Sequence, residues 1–264
     1  MRILLLSFVV TLINTSYTYS LKKIYNPIIA HRGAWKALNL PENSIASLKH
    51  AIQLKCAGSE FDVRMTADDI LVINHDPKYH GLEIEKVNYT DLLQFTLSNG
   101  EKIPTLEEYL ITGVNKNKYT RLICEIKPSE ISKERGVLIA QTVYSLIKRL
   151  KVQSMVDYIS FDIDMLKTLI SLNPKISTQY LNGNLTPKEL KSMGVTGLDY
   201  HYLVFKKYPE WIAEAKQLHL VLNVWTVNKE EDIDYFLEQG FDQITTNEPE
   251  LVNIRMTVVK QSLK

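Results

Sequence analysis

His31 and Arg32 close the short apolar run Pro27-Ile28-Ile29-Ala30. Glu60 and Asp62 flank Phe61, His75 follows Ile73-Asn74, and Glu125 and Lys127 flank Ile126 after Leu122-Ile123-Cys124. A folding core has no use for such groups, because each costs free energy to bury unless it is paired. Residues two apart on a strand share a face, so Glu60 projects with Asp62 and Glu125 with Lys127. Like charges held together raise one another's pKa unless a cation intervenes. Oxygen ligands without cysteine favour one divalent cation, Ca²⁺ or Mg²⁺ with Mn²⁺ as a third candidate, over structural zinc. Such a cation, with Arg32 and Lys127 facing the same cavity, suits a phosphate oxyanion. His31 and His75 add two imidazoles that titrate near neutrality, as general acid and general base. The set predicts cleavage of a phosphodiester.

The elements that must hold these groups follow from the hydrophobic pattern. Strand-like runs begin near residues 28, 59, 121, 158, 175, 195, 220 and 243, each followed by a helical stretch. The run 70–74 reads as a hairpin partner of 60–65, turned at Ala67-Asp68-Asp69. Asn43 or Ser44 caps a helix to about Lys55, with Ile45, Leu48, Ile52 and Leu54 on its buried side. Thr105-Leu106-Glu107-Glu108 and Thr186-Pro187-Lys188-Glu189 are capping-box starts. Strands alternating with helices imply parallel βαβ units, and this number of them implies a closed (β/α)₈ TIM barrel. An open doubly wound sheet is disfavoured, because the first strand lacks the Gly-rich phosphate loop. The polar stretch from Pro77 to Glu101 is an insertion after the second strand.

Barrel enzymes carry their chemistry at the C-terminal ends of the strands. His31 and Arg32 end the first strand, Glu60 and Asp62 the second, and Glu125 and Lys127 the third. Asp162 ends the fourth, Asp199 and His201 the sixth, Trp225 the seventh and Thr246 the eighth. Trp225 is expected to pack against substrate. Glu42 is read as an outer contact to the phosphate-binding groups, and Asp199 with His201 as a structural rim pair.

Composition narrows the class further. The chain has 264 residues, 45% hydrophobic and 23% charged, enough for one large core and no second domain. A net charge of +1 gives no field for nucleic acid. Arg2 followed by Ile3–Ile13 and then Thr18-Tyr19-Ser20 reads as a signal peptide over residues 1–20. The expected mature protein, 21–264, is then periplasmic or extracellular, with no stable membrane anchor. Cys56 and Cys124 are expected to be small buried hydrophobes rather than a disulfide.

These residues fall into motifs that resemble the glycerophosphodiester phosphodiesterases, relatives of the phospholipase C barrels. The motifs are Ala30-His31-Arg32-Gly33, Pro41-Glu42-Asn43-Ser44, Glu60-Phe61-Asp62-Val63, Asn74-His75-Asp76, Ile103–Glu108, Glu125-Ile126-Lys127-Pro128, Ser160-Phe161-Asp162 and Trp225-Thr226-Val227-Asn228. They span essentially the whole mature chain in order. The resemblance implies a divalent metal on Glu60, Asp62 and Glu125. It implies His31 and His75 as the acid–base pair, Arg32 on the phosphate and Lys127 against the developing charge. It implies release of glycerol 3-phosphate and an alcohol from small glycerophosphodiesters, by way of the glycerol 2-hydroxyl. Alternatives are a phospholipase D-like enzyme acting on lysophospholipid or sphingomyelin, and a binding protein without turnover. Two departures stand out. The insertion lacks an Arg-Thr-Thr-rich stretch, which bears on the head group. The last strand runs into Thr245-Thr246-Asn247-Glu248-Pro249 where the family often has Thr-Asp-x-Pro, expected to alter a loop more than the chemistry.

Overall fold

The computed structural model describes residues 26–262. The expected signal segment lies outside them. In chain order the elements are β1 (Ile28–Ala30), α1 (Ile45–Gln53), β2 (Gly58–Met65), β3 (Leu71–Ile73), β4 (Lys78–Tyr79), β5 (Leu82–Glu83) and α2 (Tyr89–Leu92). Then come α3 (Leu106–Val114), β6 (Arg121–Ile126), α4 (Lys133–Leu150), β7 (Val156–Ser160), α5 (Ile163–Leu172), β8 (Thr178–Tyr180) and α6 (Pro187–Ser192). The chain finishes with β9 (Gly197–His201), α7 (Tyr202–Lys207), α8 (Glu210–Gln217), β10 (Val221–Trp225), α9 (Glu230–Gln239), β11 (Gln243–Thr246) and α10 (Pro249–Ser262). The parallel strands run β1-β2-β6-β7-β8-β9-β10-β11 and β11 pairs back onto β1, which closes the (β/α)₈ barrel. β3 pairs antiparallel with β2 outside the ring, as the hairpin reading predicts. Among the described residues no helix is long and apolar enough to cross a membrane.

Strand alternation builds two cores. Phe61, Val63, Leu122, Cys124, Tyr158, Leu198 and Leu222 point outward and pack beneath the helices. Ile29, Ile123, Ile159 and Leu181 fill the barrel below the site. Gly58 is small for a reason, since a Cβ there would lie 2.8 Å from Ile29 Cδ1 and 2.9 Å from Ile123 Cγ1. Both cysteines are buried and free.

The helix starts follow the capping chemistry. Ser44, Thr105 and Thr186 each close a capping box, so Ser44 rather than Asn43 is the cap of α1. α1 buries Ser47, Leu48 and Ala51. Leu54 is 38% exposed rather than core, because the helix stops at Gln53 and Lys55 turns left-handed at φ 55°. The short helix α7 was not foreseen. It is capped by the His201 ring, whose Nδ1 accepts from the Leu203 N–H.

Residues 77–101 are polar in composition but fold around their own small core. Tyr79, Ile84 and Leu92 pack with Val72 and Ile103. Their spacing follows neither a strand nor a helix period, so the pattern did not show it. The buried Glu85 fastens this unit to the loop after β6. It accepts from Ser129 Oγ at 2.6 Å, the Glu130 N–H at 2.9 Å and Arg135 Nε at 3.2 Å.

Candidate active site

After Ala30 the chain reverses, with Arg32 at φ 57° and Gly33 at φ 81°. A Cβ on Gly33 would sit 2.7 Å from the Ser47 backbone carbon, so glycine alone fits. This turn aims the Arg32 N–H at Glu60 Oε2, 2.7 Å away. The Arg32 guanidinium then lies 2.8 Å from Glu42 and 3.6 Å from Asp62.

Register assembles the carboxylates. Asp62 is the pairing partner of Glu125 across β2 and β6, and Glu60 lies two residues below. One oxygen from each of Glu60, Asp62 and Glu125 falls within 4.8 Å of the others, and all three residues are buried. Asn43 braces Asp62, donating from Nδ2 to Oδ2 at 2.7 Å and accepting from the Asp62 N–H at 3.2 Å. Lys127 Nζ reaches Asp62 at 2.8 Å and Glu125 at 2.5 Å.

Three buried carboxyl groups share this cluster with two cations, Arg32 and Lys127. Burial opposes ionisation of Asp62, yet Lys127 and His75 hold it down to about 2. Burial, with Asp62 beside it, pushes Glu125 up to about 7. Burial and then Asp62 and Glu125 push Glu60 well above the carboxylate range. Lys127 serves Asp62 Oδ1 and Glu125 Oε1, which leaves Glu60 Oε1 buried with neither a hydrogen bond nor a cation of the protein on it. Such an orphaned acceptor is costly. Three convergent oxygen donors with charge to spare fit a hard divalent cation.

The imidazoles are held differently. His31 is part-buried, with Nδ1 2.7 Å from Asn247 Oδ1 and Nε2 4.0 Å from Glu60 Oε2. Burial first, then Arg32, lowers its pKa to about 4, so the ring is neutral at pH 7. An Nδ1–H donated to Asn247 leaves the Nε2 lone pair free on the Glu60 side. His75 sits on the loop after β3, its backbone carbonyl gripped by Arg64 Nε at 2.9 Å and Nη2 at 2.7 Å. Its Nδ1 is 2.8 Å from Asp76.

A cavity of about 110 Å³ opens over these groups. His31, Arg32, Glu60, His75, Glu125 and Lys127 line one side, and Ile159, Phe161, Leu181, Asp199 and Trp225 the other. Trp225 stands edge-on to Phe161 at 5.6 Å, and its Nε1 donates to the Asp199 carbonyl at 2.9 Å. A second, more open depression lies between the insertion and the loop after β1. Glu42, Asn43, His75, Tyr79 and His80 line it. Glu42 therefore faces the second depression and reaches the first only through Arg32, while His75 borders both.

Sequence reading did not single out Asn247, Asn43, Arg64 or Phe161 as site residues. Arg64 had a usable signal, since it shares strand parity with Glu60 and Asp62. Asn247 had one too, as the departure in the final motif. That departure was expected to alter a loop more than the chemistry, and it places Asn247 in direct contact with His31.

Comparison with known proteins gives concordant matches. The profile of the glycerophosphoryl diester phosphodiesterase family matches residues 31–251. A glycerophosphodiester phosphodiesterase from Caldanaerobacter subterraneus is 31% identical over 250 residues, spanning 86% of this chain and 96% of that protein. The crystal structure of a glycerophosphodiester phosphodiesterase from Parabacteroides distasonis superposes with a TM-score of 0.85 at 42% identity, covering 90% of this chain and 98% of the other. An Oleispira antarctica phosphodiesterase, solved with the product sn-glycerol-3-phosphate, shares the fold with a TM-score of 0.75 at 24% identity, covering 87% and 96%.

Proposed function

Because the chain belongs to the glycerophosphoryl diester phosphodiesterase family of hydrolases, we propose that its barrel cavity cleaves small glycerophosphodiesters to glycerol 3-phosphate and an alcohol, with a divalent cation and two histidines. The convergence of Glu60, Asp62 and Glu125 beside Arg32, Lys127, His31 and His75 around one cavity carries the reading. The three carboxylates are the ligand set for Ca²⁺ or Mg²⁺, with Mn²⁺ as a third candidate, and the bound cation supplies Lewis-acid polarisation of the phosphoryl group.

Arg32 binds a phosphoryl oxygen, held in place by Glu42. Lys127 stands by the charge that develops on phosphorus, where a preorganised cation contributes most. Neutral His31 takes the proton of the glycerol 2-hydroxyl through Nε2. The freed oxygen attacks phosphorus and the bond to the head-group oxygen breaks. His75 borders the depression that faces away from the barrel, so it gives its proton to the leaving alcohol. Water then opens the cyclic phosphate with the two histidines in exchanged roles. Trp225 and Phe161 wall off the glycerol. The Oleispira phosphodiesterase, solved with sn-glycerol-3-phosphate, supports that compound as the product.

We extend the proposal to location. The apolar segment after Arg2 supports export to the periplasm or beyond, which N-terminal sequencing of the secreted protein tests.

Phosphorus NMR of reactions with glycerophosphocholine and glycerophosphoethanolamine tests the chemistry. Glycerol 3-phosphate from both is the expected product. Turnover of lysophosphatidylcholine or sphingomyelin alone would move the assignment to a phospholipase D-like enzyme. Tight binding of the diesters without turnover would make it a binding protein.

A further inference from the structure

Asp199 has no part in the chemistry described above, yet it is 1% exposed and lines the same cavity. Its Oδ1 is buried with no hydrogen-bond partner. Among the described residues it stands outside the carboxylate cluster, so the cation ligands do not account for it. Leu181, Phe161 and Trp225 line the same cavity, and the Trp225 N–H goes to the Asp199 backbone carbonyl; Asn223, its pairing partner on β10, is buried and leaves its Nδ2 unpartnered as well. A buried acceptor left unpaired costs free energy comparable to a lost hydrogen bond or more. A donor that arrives with the ligand would satisfy it.

Topology says which part of the ligand arrives there. Around the ring the order is β1, β2, β6, β7, β8, β9, β10, β11. β9, which carries Asp199, is therefore diametrically opposite β2, which carries Glu60 and Asp62. A phosphoryl group bound at β1, β2 and β6 would leave room for its glycerol across the cavity, toward β9. The 2-hydroxyl is engaged by His31, and the head group leaves past His75 on the insertion side. The terminal hydroxyl is the one donor left to meet the far wall.

We infer that Asp199 is the specificity residue for the free terminal hydroxyl of the glycerol, hydrogen-bonding it on the cavity wall opposite β2 and excluding diesters that lack it or carry it acylated. This rests on the functional reading above. A site built to hydrogen-bond a substrate hydroxyl rejects the analogue without it far more strongly than an apolar pocket rejects an extra methylene.

The test compares sn-glycerol 3-phosphate with propane-1,2-diol 1-phosphate, which keeps the 2-hydroxyl and lacks only the terminal one. Their affinities are measured by calorimetry with Ca²⁺ for wild type, Asp199→Asn and Asp199→Ala, alongside kcat/KM on the corresponding phosphocholine diesters. Wild type is expected to prefer the glycerol compound by about 100-fold. Asp199→Ala is expected to lose most of that preference by weakening on glycerol alone, and Asp199→Asn to keep most of it. Circular dichroism checks that each variant is folded. Equal loss on both compounds in folded Asp199→Ala would make the residue structural and overturn the inference. So would a wild type that binds the two phosphates equally, whether or not it turns over diester. A loss that appears only with the choline head group and not with glycerophosphoglycerol would assign Asp199 to the head group and overturn it as well. Binding discrimination without turnover would leave the inference standing and sink the catalytic reading instead.

Discussion

His31 Nδ1 and Asn247 Oδ1 lie 2.7 Å apart, joining the first turn of the barrel to the last across 216 residues of sequence. An Nδ1–H donated to this amide would leave Nε2 as the acceptor, the tautomer the proposed base needs, and without adding charge. A carboxylate there would favour the imidazolium. Asn247→Asp is therefore expected to raise the His31 pKa from its value of about 4. The base must be neutral to work, so the acidic limb of the kcat/KM profile moves to higher pH. Asn247→Ala loses the orientation and lowers kcat/KM on the order of 10–100-fold without that displacement. pH–rate profiles of both variants check this.

Metal binding should expel protons. Burial and the neighbouring Asp62 push Glu125 up to about 7 and Glu60 well above the usual carboxylate range in the metal-free protein, and each must ionise to act as a ligand. Protons therefore compete with the cation as pH falls below about 7. Calorimetric titration with Ca²⁺ is expected to show weaker binding at pH 6 than at pH 8. The apparent enthalpy should vary with the ionisation enthalpy of the buffer. Identical affinity at the two pH values would mean that the triad is already ionised without metal.

Arg64 acts on the site through His75. It donates twice to the His75 carbonyl from a buried position. Arg64→Met is expected to cost about 2–3 kcal/mol of stability and to lower kcat on the order of 100-fold by letting His75 shift. Affinity for glycerol 3-phosphate should hardly change, because His31, Arg32 and the far wall keep their places. In a His75→Ala background the same change should cost little further activity, the non-additivity expected when one residue works through another.

Most of the scaffold could be read from the chain because its signals are local. Apolar runs at strand starts, the capping boxes at Ser44, Thr105 and Thr186, and the parity of Glu60 with Asp62 each need only a few neighbouring residues. The contacts that tune the site are of another kind. His31 meets Asn247, and Asp62 meets Asn43, only once the barrel closes. Asp199 looked like a rim residue, since a single strand cannot show that it lines the cavity opposite β2. The core of the insertion escaped notice because Tyr79, Ile84 and Leu92 converge through turns rather than along a repeating period.

The most direct measurement is release of glycerol 3-phosphate from glycerophosphocholine by the wild type, with EDTA, and after Ca²⁺ or Mg²⁺ is restored, with His31→Ala alongside. The account predicts turnover by the wild type, its loss with EDTA, its return with the metal, and none above background for His31→Ala under any condition. Turnover that persists in EDTA, or that survives in His31→Ala, would contradict a metal-dependent, histidine-assisted phosphodiesterase at this cavity.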